Sequence, residues 1–248
     1  INILKFCGPE AVQAIPDLIS VIESNQSERA TVAAIYALAS MGDDAAAASP
    51  LLAGIVKDTQ DEQLVSVEDN QVLQAAIEAI GCIGTDDSGC IARIREYAVA
   101  RYGRIQMVSI NSMCNLDDEG GSAIPMLRRL LDEDPDLSSE AIIRFRLYRY
   151  GIDAEENAQR IRDILELRDA TAAGYAIWCL VHMGEEVEPV IVRIEELALL
   201  VDDVIVCSNA FPALYQIQDG YEPPYDKPVI IPYAEDFRDG SAMWQELE

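Results

Sequence analysis

The sequence predicts an all-α fold, a solenoid of helix pairs followed by a Pro-rich extended C-terminal tail. Three observations carry that prediction. First, the stretch Ala-Ile-Tyr-Ala-Leu-Ala-Ser-Met-Gly at 34–42 recurs in weakened form at 76–84, 176–184 and 210–218. Second, the residues that close the copies, Gly8, Gly42, Gly84, Asp117, Gly151, Gly184 and Gln218, stand 34, 42, 33, 34, 33 and 34 apart. A fixed period of this size marks stacked repeats. Third, the apolar residues between these reference points fall into columns with helical spacing.

The first helix of each unit precedes its reference. Eight before it stand Ala34, Ala76, Ser109, Ile143, Ala176 and Ala210. Four before stand Leu4, Leu38, Ile80, Met113, Leu147, Leu180 and Leu214, and one before stand Cys7, Met41, Ile83, Leu116, Tyr150, Met183 and Ile217. These offsets share one helical face. Glycine at the reference suits a helix C-cap with positive φ. The second helix follows. Its apolar stripe takes Ile15, Ser49, Ile91, Ile124, Ala158 and Ile191 at seven after. It takes Leu18, Leu52, Ile94, Leu127, Ile161 and Ile194 at ten, and Ile22, Val56, Ala98, Leu131, Leu165 and Ala198 at fourteen. Pro16, Pro50 and Pro125 recur eight after, where a helix start tolerates proline. Acidic residues crowd the junctions, among them Asp43, Asp44, Asp86, Asp87, Asp117, Asp118, Glu119, Glu185 and Glu186. Helix N-termini favour anions, so much of the negative charge has a structural reason.

Helix pairs on a period of about 34 residues, with Ala-Ile-x-Ala-Leu-x-x-Met-Gly in the first helix and Ala-Ile-Pro-x-Leu-Ile in the second, resemble HEAT-like repeats. The nearest resemblance is to the short, Gly-punctuated kind of the phycobilisome-lyase-like HEAT proteins. It covers residues 1–218 and implies a right-handed α-solenoid of about six to seven repeats. Three irregularities interrupt the register. Ile1–Cys7 matches only the back half of a first helix, so a fragment of a longer array or complex, or a missing leader, is expected. Residues 57–70 hold an acidic insertion and read as an extended loop. Residues 219–248 leave the repeat, and Pro223, Pro224, Pro228 and Pro232 predict an extended tail packed on the last repeat.

Composition narrows the function classes. Eighteen basic residues face 44 acidic ones, a formal net charge of −26. Such a surface repels phosphate backbones and anionic lipid, so neither nucleic acid nor membrane is expected as a partner. The six cysteines form no Cys-x-x-Cys pair, and His182 is the one histidine. No metal and no cofactor are expected, because a structural zinc site needs about four such ligands together. Reduced thiols within apolar helical patterns point to a reducing, cytoplasmic setting.

The basic residues are unevenly spread. Residues 93–193 carry 13 arginines and no lysine. Arg93, Arg160 and Arg193 stand nine after a reference, and Arg95, Arg128 and Arg162 eleven after. These six are the candidate binding residues, since guanidinium groups grip carboxylates and phosphates in pairs of bonds. The HEAT-like resemblance places them on the concave face. Glu96, Asp163 and Glu196 share that face, and Arg129/Glu133 and Arg162/Glu166 are spaced for helical ion pairs, so neutralisation along the face is the competing expectation. Arg144, Arg146 and Arg149 lie on a first helix and would make a separate patch. His182 and Trp178 are read as packing residues. No His-Glu dipeptide occurs, which speaks against the iron hydroxylases built on HEAT-like repeats.

No catalytic residue is assigned. The expected role is a non-catalytic scaffold that binds a protein or peptide partner. The resemblance alone implies the alternative, a bilin (tetrapyrrole) lyase or lyase subunit, in which the arginines would meet propionates and a cysteine would assist.

Overall fold

The computed structural model describes residues 8–59, 70–100, 103–117, 119–167, 169–184 and 191–198. Among them there is no strand. The helices are α1 (Ile15–Ser24), α2 (Glu28–Ala39), α3 (Ser49–Asp58), α4 (Gln71–Ile83), α5 (Ser88–Val99) and α6 (Gly103–Leu116), then α7 (Ala123–Asp132), α8 (Leu137–Arg149), α9 (Ala154–Leu165), α10 (Ala170–His182) and α11 (Ile191–Ala198). Even-numbered helices are the first helices of the repeat, and odd-numbered ones the second. The front half-repeat at 1–7, the motif copy at 210–218 and the tail at 219–248 lie outside the described residues. So does most of the insertion. Its flanks belong to helices: Lys57 and Asp58 complete α3, and Asn70 caps α4.

The chain divides into two compact units between Ala123 and Ile124. Within the first, α2, α4 and α6 pack in succession, α3 lies against α4 and α5, and α5 against α6. Within the second, α8, α9 and α10 pack on one another. First helix on next first helix is the layering that a period of helix pairs demands.

The columns read from the sequence are the core. Leu18, Leu52, Ile94, Leu127, Ile161 and Ile194, ten after the reference, are all at most 2% exposed. Ala34, Ala76, Ser109, Ile143 and Ala176, eight before it, are fully buried. Each large aliphatic side chain so buried contributes about 1.5–3 kcal/mol against conformational entropy. The column seven after is a rim: Ile15 and Ala158 are buried, whereas Ser49, Ile91, Ile124 and Ile191 are half-buried. Here the stripe read from spacing is longer than the packed seam, because Ser49, Ile124 and Ile191 stand in the opening turn of α3, α7 and α11.

The junctions follow the predicted chemistry. Gly42, Gly84, Gly151 and Gly184 have φ of 56°, 84°, 70° and 69°. At Gly151 the Ile152 amide donates to Leu147 O at 3.0 Å and the Gly151 amide to Tyr148 O at 2.8 Å, a Schellman ending for α8. Asp117, at the same register, does a different job. Its carboxylate accepts from the Gly121, Ser122 and Ala123 amides at 3.2, 2.7 and 3.0 Å and from the Ser122 hydroxyl at 2.7 Å, satisfying donors at the start of α7. Burial pushes its carboxyl up, but these donors together outweigh burial and hold it below the usual range. Ser27, Asn70, Asp136 and Asp169 cap the first helices α2, α4, α8 and α10 through their side chains, and Asp87 caps α5. Pro16 and Pro50 stand in the opening turns of α1 and α3. Each is preceded by a 3-10 stretch, at Gly8–Ala14 and Gly42–Ala48, that the columns did not show. No helix among the described residues is long and apolar enough to cross a membrane.

Candidate functional site

The six candidate arginines all stand on second helices: Arg93 and Arg95 on α5 in the first unit, Arg128 on α7, Arg160 and Arg162 on α9, and Arg193 on α11 in the second. Their register divides them into two kinds. Those nine after the reference face neighbouring protein. Arg93 donates from Nη1 to Glu96 at 2.8 Å, from Nε to the Tyr97 hydroxyl at 3.1 Å and from Nη2 to Thr59 O at 3.3 Å. Its guanidinium also lies 4.6 Å from the Tyr97 ring centroid. Thr59 is the C-cap of α3, so Arg93 satisfies the end of the preceding second helix. Arg193 repeats the arrangement. It pairs with Glu196 at 3.0 Å on its own helix and lies 3.5 Å from Glu166, the C-cap of α9. Arg93 therefore fastens one second helix to the end of the one before, and Arg193 sets a cation beside the side chain that caps the corresponding end of α9.

Arg160 binds Glu140 on α8 with two parallel bonds, Nε to Oε1 at 2.9 Å and Nη2 to Oε2 at 3.1 Å. Arg144 donates to the same Oε1 at 2.8 Å and to Asn157 Oδ1 at 3.0 Å, and Asn157 Nδ2 donates to Ile152 O at 2.9 Å. Burial pushes the Glu140 carboxyl up, but the Arg160 and Arg144 guanidiniums outweigh it and hold Glu140 below its ordinary range. Two bases on one carboxylate and an amide tying the loop make this a closed network. The Glu140/Arg144 spacing is visible in the sequence as a helical ion pair. The part played by Asn157 had no signal there.

Two of the three arginines eleven after the reference face solvent. Arg95 and Arg128 are exposed and make no hydrogen bond or ion pair among the described residues. Arg162 is half-buried and donates to Gln159 at 3.2 Å. Of the two predicted helical pairs, Arg129 and Glu133 lie 3.5 Å apart, whereas Glu166 turns to Arg193. Of the arginines of the first helix α8, Arg144 and Arg149 are half-buried and Arg146 is buried. Arg146 is 3% exposed with its guanidinium 5.7 Å from the Phe145 ring, and Arg144 is bound as above.

The remaining candidates are structural. Trp178 is buried, with its ring 5.3 Å from Phe145 at 71° and 4.4 Å from His182. His182 Nδ1 lies 2.8 Å from Trp178 O, so that nitrogen carries the proton and donates. Burial pushes the imidazole below its usual range, with Arg146 and Arg149 acting in the same direction. Cys82, Cys90, Cys114 and Cys179 are free and buried. Burial raises the Cys90 thiol to about 11 and carries Cys179 well above its ordinary value. Neither is inclined to form the thiolate that attacks an electrophile. Among the described residues no group of three His, Cys, Asp or Glu side chains is placed to hold a metal ion.

No family model, curated protein or solved structure matches the chain.

Proposed function

We propose that the chain is a HEAT-like repeat scaffold that holds a protein or peptide partner against the solvent-facing side of its second helices. One observation carries this reading. At the offset eight after the reference, Pro16, Pro50, Ala92, Pro125, Gln159 and Val192 are exposed on all six described second helices, and the offset eleven after adds the unbonded Arg95 and Arg128. The first helices spend their faces on each other, so it is the second helices that present a repeated surface. Stacked repeats of this kind serve as extended binding surfaces. Guanidinium groups without a partner suit carboxylates on the bound chain.

The test uses Arg95→Glu and Arg128→Glu, singly and together, because neither side chain supports the fold. Affinity capture from a native extract with the full chain is compared between wild type and variants. The reading expects a defined set of proteins to be retained by the wild type and lost from the double variant, with unchanged circular dichroism. An identical set on both would remove these arginines from the interface. Arg93→Glu and Arg160→Glu are poor probes, since they break ion pairs that hold helices together.

A further inference from the structure

In the second unit, one face of α8 and α10 is turned away from α9. Phe145 and Trp178 each stand two residues from both flanking core columns, at Ile143 and Leu147 on α8 and at Ala176 and Leu180 on α10. Two residues are about 200° round a helix. Ile142 stands two residues from Glu140 and from Arg144, and both of those bind side chains of α9. Contacts across α8 and α10 join this face. Phe145 and Trp178 meet edge to face with centroids 5.3 Å apart, the His182 ring lies 4.4 Å from Trp178, and Cys179 Sγ donates to Ala141 O at 3.6 Å.

The face is nevertheless covered: Ile142 and Phe145 are 0% exposed and Trp178 is 6% exposed. The outer side of a helix in a two-layered array ordinarily meets water and is polar. α10 is instead apolar nearly all round, with no Asp, Glu, Lys or Arg in Ala-Thr-Ala-Ala-Gly-Tyr-Ala-Ile-Trp-Cys-Leu-Val-His. A helix of that make-up is buried on every side. Packing on α8 and α9 accounts for two of its sides and leaves the outer one to another part of the chain.

Charge and length select the cover. α8 carries Arg144, Arg146 and Arg149 against Glu140 alone, and Glu140 is held toward α9 by Arg144 and Arg160. In a chain of net charge −26 this is a locally basic face. Residues 219–248 hold eight acidic residues and two basic ones. Within them, residues 221–233 combine four prolines, three tyrosines and the run Val229, Ile230 and Ile231. Proline-rich chain docks on aromatic-lined surfaces because it is already extended. Residues 221–233 reach about 40 Å as polyproline II, against about 10 Å between neighbouring helix axes.

We infer that residues 221–233 of the same chain lie extended across this face of α8 and α10, with tyrosine and proline rings on Phe145 and Trp178 and the carboxylates of Glu222 and Asp226 toward Arg149. The chain then closes the outer side of these first helices itself and leaves the second helices as the side open to a partner. The contact is within one chain and stands whether or not a partner binds.

The test puts a photoreactive benzoylphenylalanine in place of Tyr225 in the full chain, irradiates a dilute solution and maps the crosslinks by mass spectrometry. Docking expects a monomeric product joined to α8 or α10. Crosslinks confined to the second helices, crosslinks that join two copies, or none at all overturn the inference. A second measurement uses Trp244→Phe, which leaves Trp178 as the one tryptophan. With Val229→Asp and Ile231→Asp added, docking expects Trp178 emission to shift to the red and acrylamide to quench it more strongly. A synthetic peptide of residues 221–233, added in excess, should reverse both. Unchanged emission and quenching, or a change that the peptide does not reverse, overturns the inference. Where the Asp variant loses its helical circular dichroism, the crosslink decides, because it needs no disruptive substitution. None of these failures bears on the scaffold reading, which stands or falls on the Arg95 and Arg128 capture.

Discussion

Single residues in this chain show how far register can take an argument about function. The arginine columns are real, but the two offsets on either side of the buried column at ten have opposite meanings. Nine after the reference, the side chain points along the neighbouring helix and is consumed by packing: Arg93 on Thr59 O, Arg160 on Glu140, Arg193 beside Glu166. Eleven after, it leaves the surface, as Arg95 and Arg128 do. Sequence spacing placed both on the flanks of one stripe and had no means of telling which flank met protein. His182 gives a second test at this scale. It is the chain's only histidine, so one imidazole resonance in an NMR titration reports it without assignment. Its folded pKa is depressed below 6.5, chiefly by burial. The sign follows: stability is unaffected above 6.5, begins to fall as the unfolded chain takes up the proton, and the loss is complete below the folded value. The expected midpoint therefore lies below 6.5. A midpoint above that value would mean that the ring is open to solvent or paired with a carboxylate. Glu140 moves the same way at lower pH. Its pKa is lowered by Arg160 and Arg144 against burial, so its contribution is full above 4.5 and is lost as the pH falls through the folded value. Glu140→Gln should flatten that part of the stability profile in urea titrations run from neutral to acid pH.

At the scale of helices, much of the structure was legible. Alternating first and second helices, their buried columns and the positive φ at the closing glycines all follow from the repeat, because each is set by local spacing and backbone sterics. What was not legible depends on how closely two helices approach. Gly81 sits inside the motif copy at 76–84 and looks like a weakened alanine position. A Cβ built there would lie 2.7 Å from Ser112 Cα, where α4 crosses α6, and Ser112 Oγ donates to Ile77 O at 2.8 Å across the same contact. Backbone cannot yield as a flexible side chain can. Gly81→Ala should therefore destabilise by about 1–3 kcal/mol, the usual cost of overpacking, despite alanine's better helix propensity. Gly151 is a useful contrast. Nothing lies within 4 Å of its virtual Cβ, and its φ is 70°. Gly151→Ala should cost about 1–2 kcal/mol through backbone strain alone. Equilibrium denaturation of both variants separates the causes: Gly81→Ser should be worse than Gly81→Ala, whereas Gly151→Asn should recover part of the loss because asparagine tolerates the left-handed region. Equal penalties for alanine and serine at 81 would argue that α4 and α6 adjust freely.

The whole molecule is governed by its charge. Forty-four acidic residues against 18 basic ones leave a net −26, and the capping roles of Asp87, Asp117, Asp136 and Asp169 use only a few of the carboxylates. The rest repel one another across the surface, and a compact state brings them closer than an unfolded chain does. Against this stand the ion pairs described above, most of them part-exposed and individually weak. The two contributions respond oppositely to salt. Screening over a Debye length of about 10 Å at 0.1 M removes long-range repulsion more effectively than it removes close, part-buried pairs such as Arg160–Glu140. Net repulsion should win, so the thermal midpoint should rise as sodium chloride is increased from about 0.01 M to about 0.15 M, where the Debye length falls from about 30 Å to about 8 Å. The rise should be smaller at acid pH, where part of the charge is already neutralised. A midpoint that falls with salt at neutral pH would show that the ion pairs outweigh the repulsion. The same comparison bears on recognition, because a partner held by opposite charge must lose affinity over this range of salt even as the protein that binds it becomes more stable.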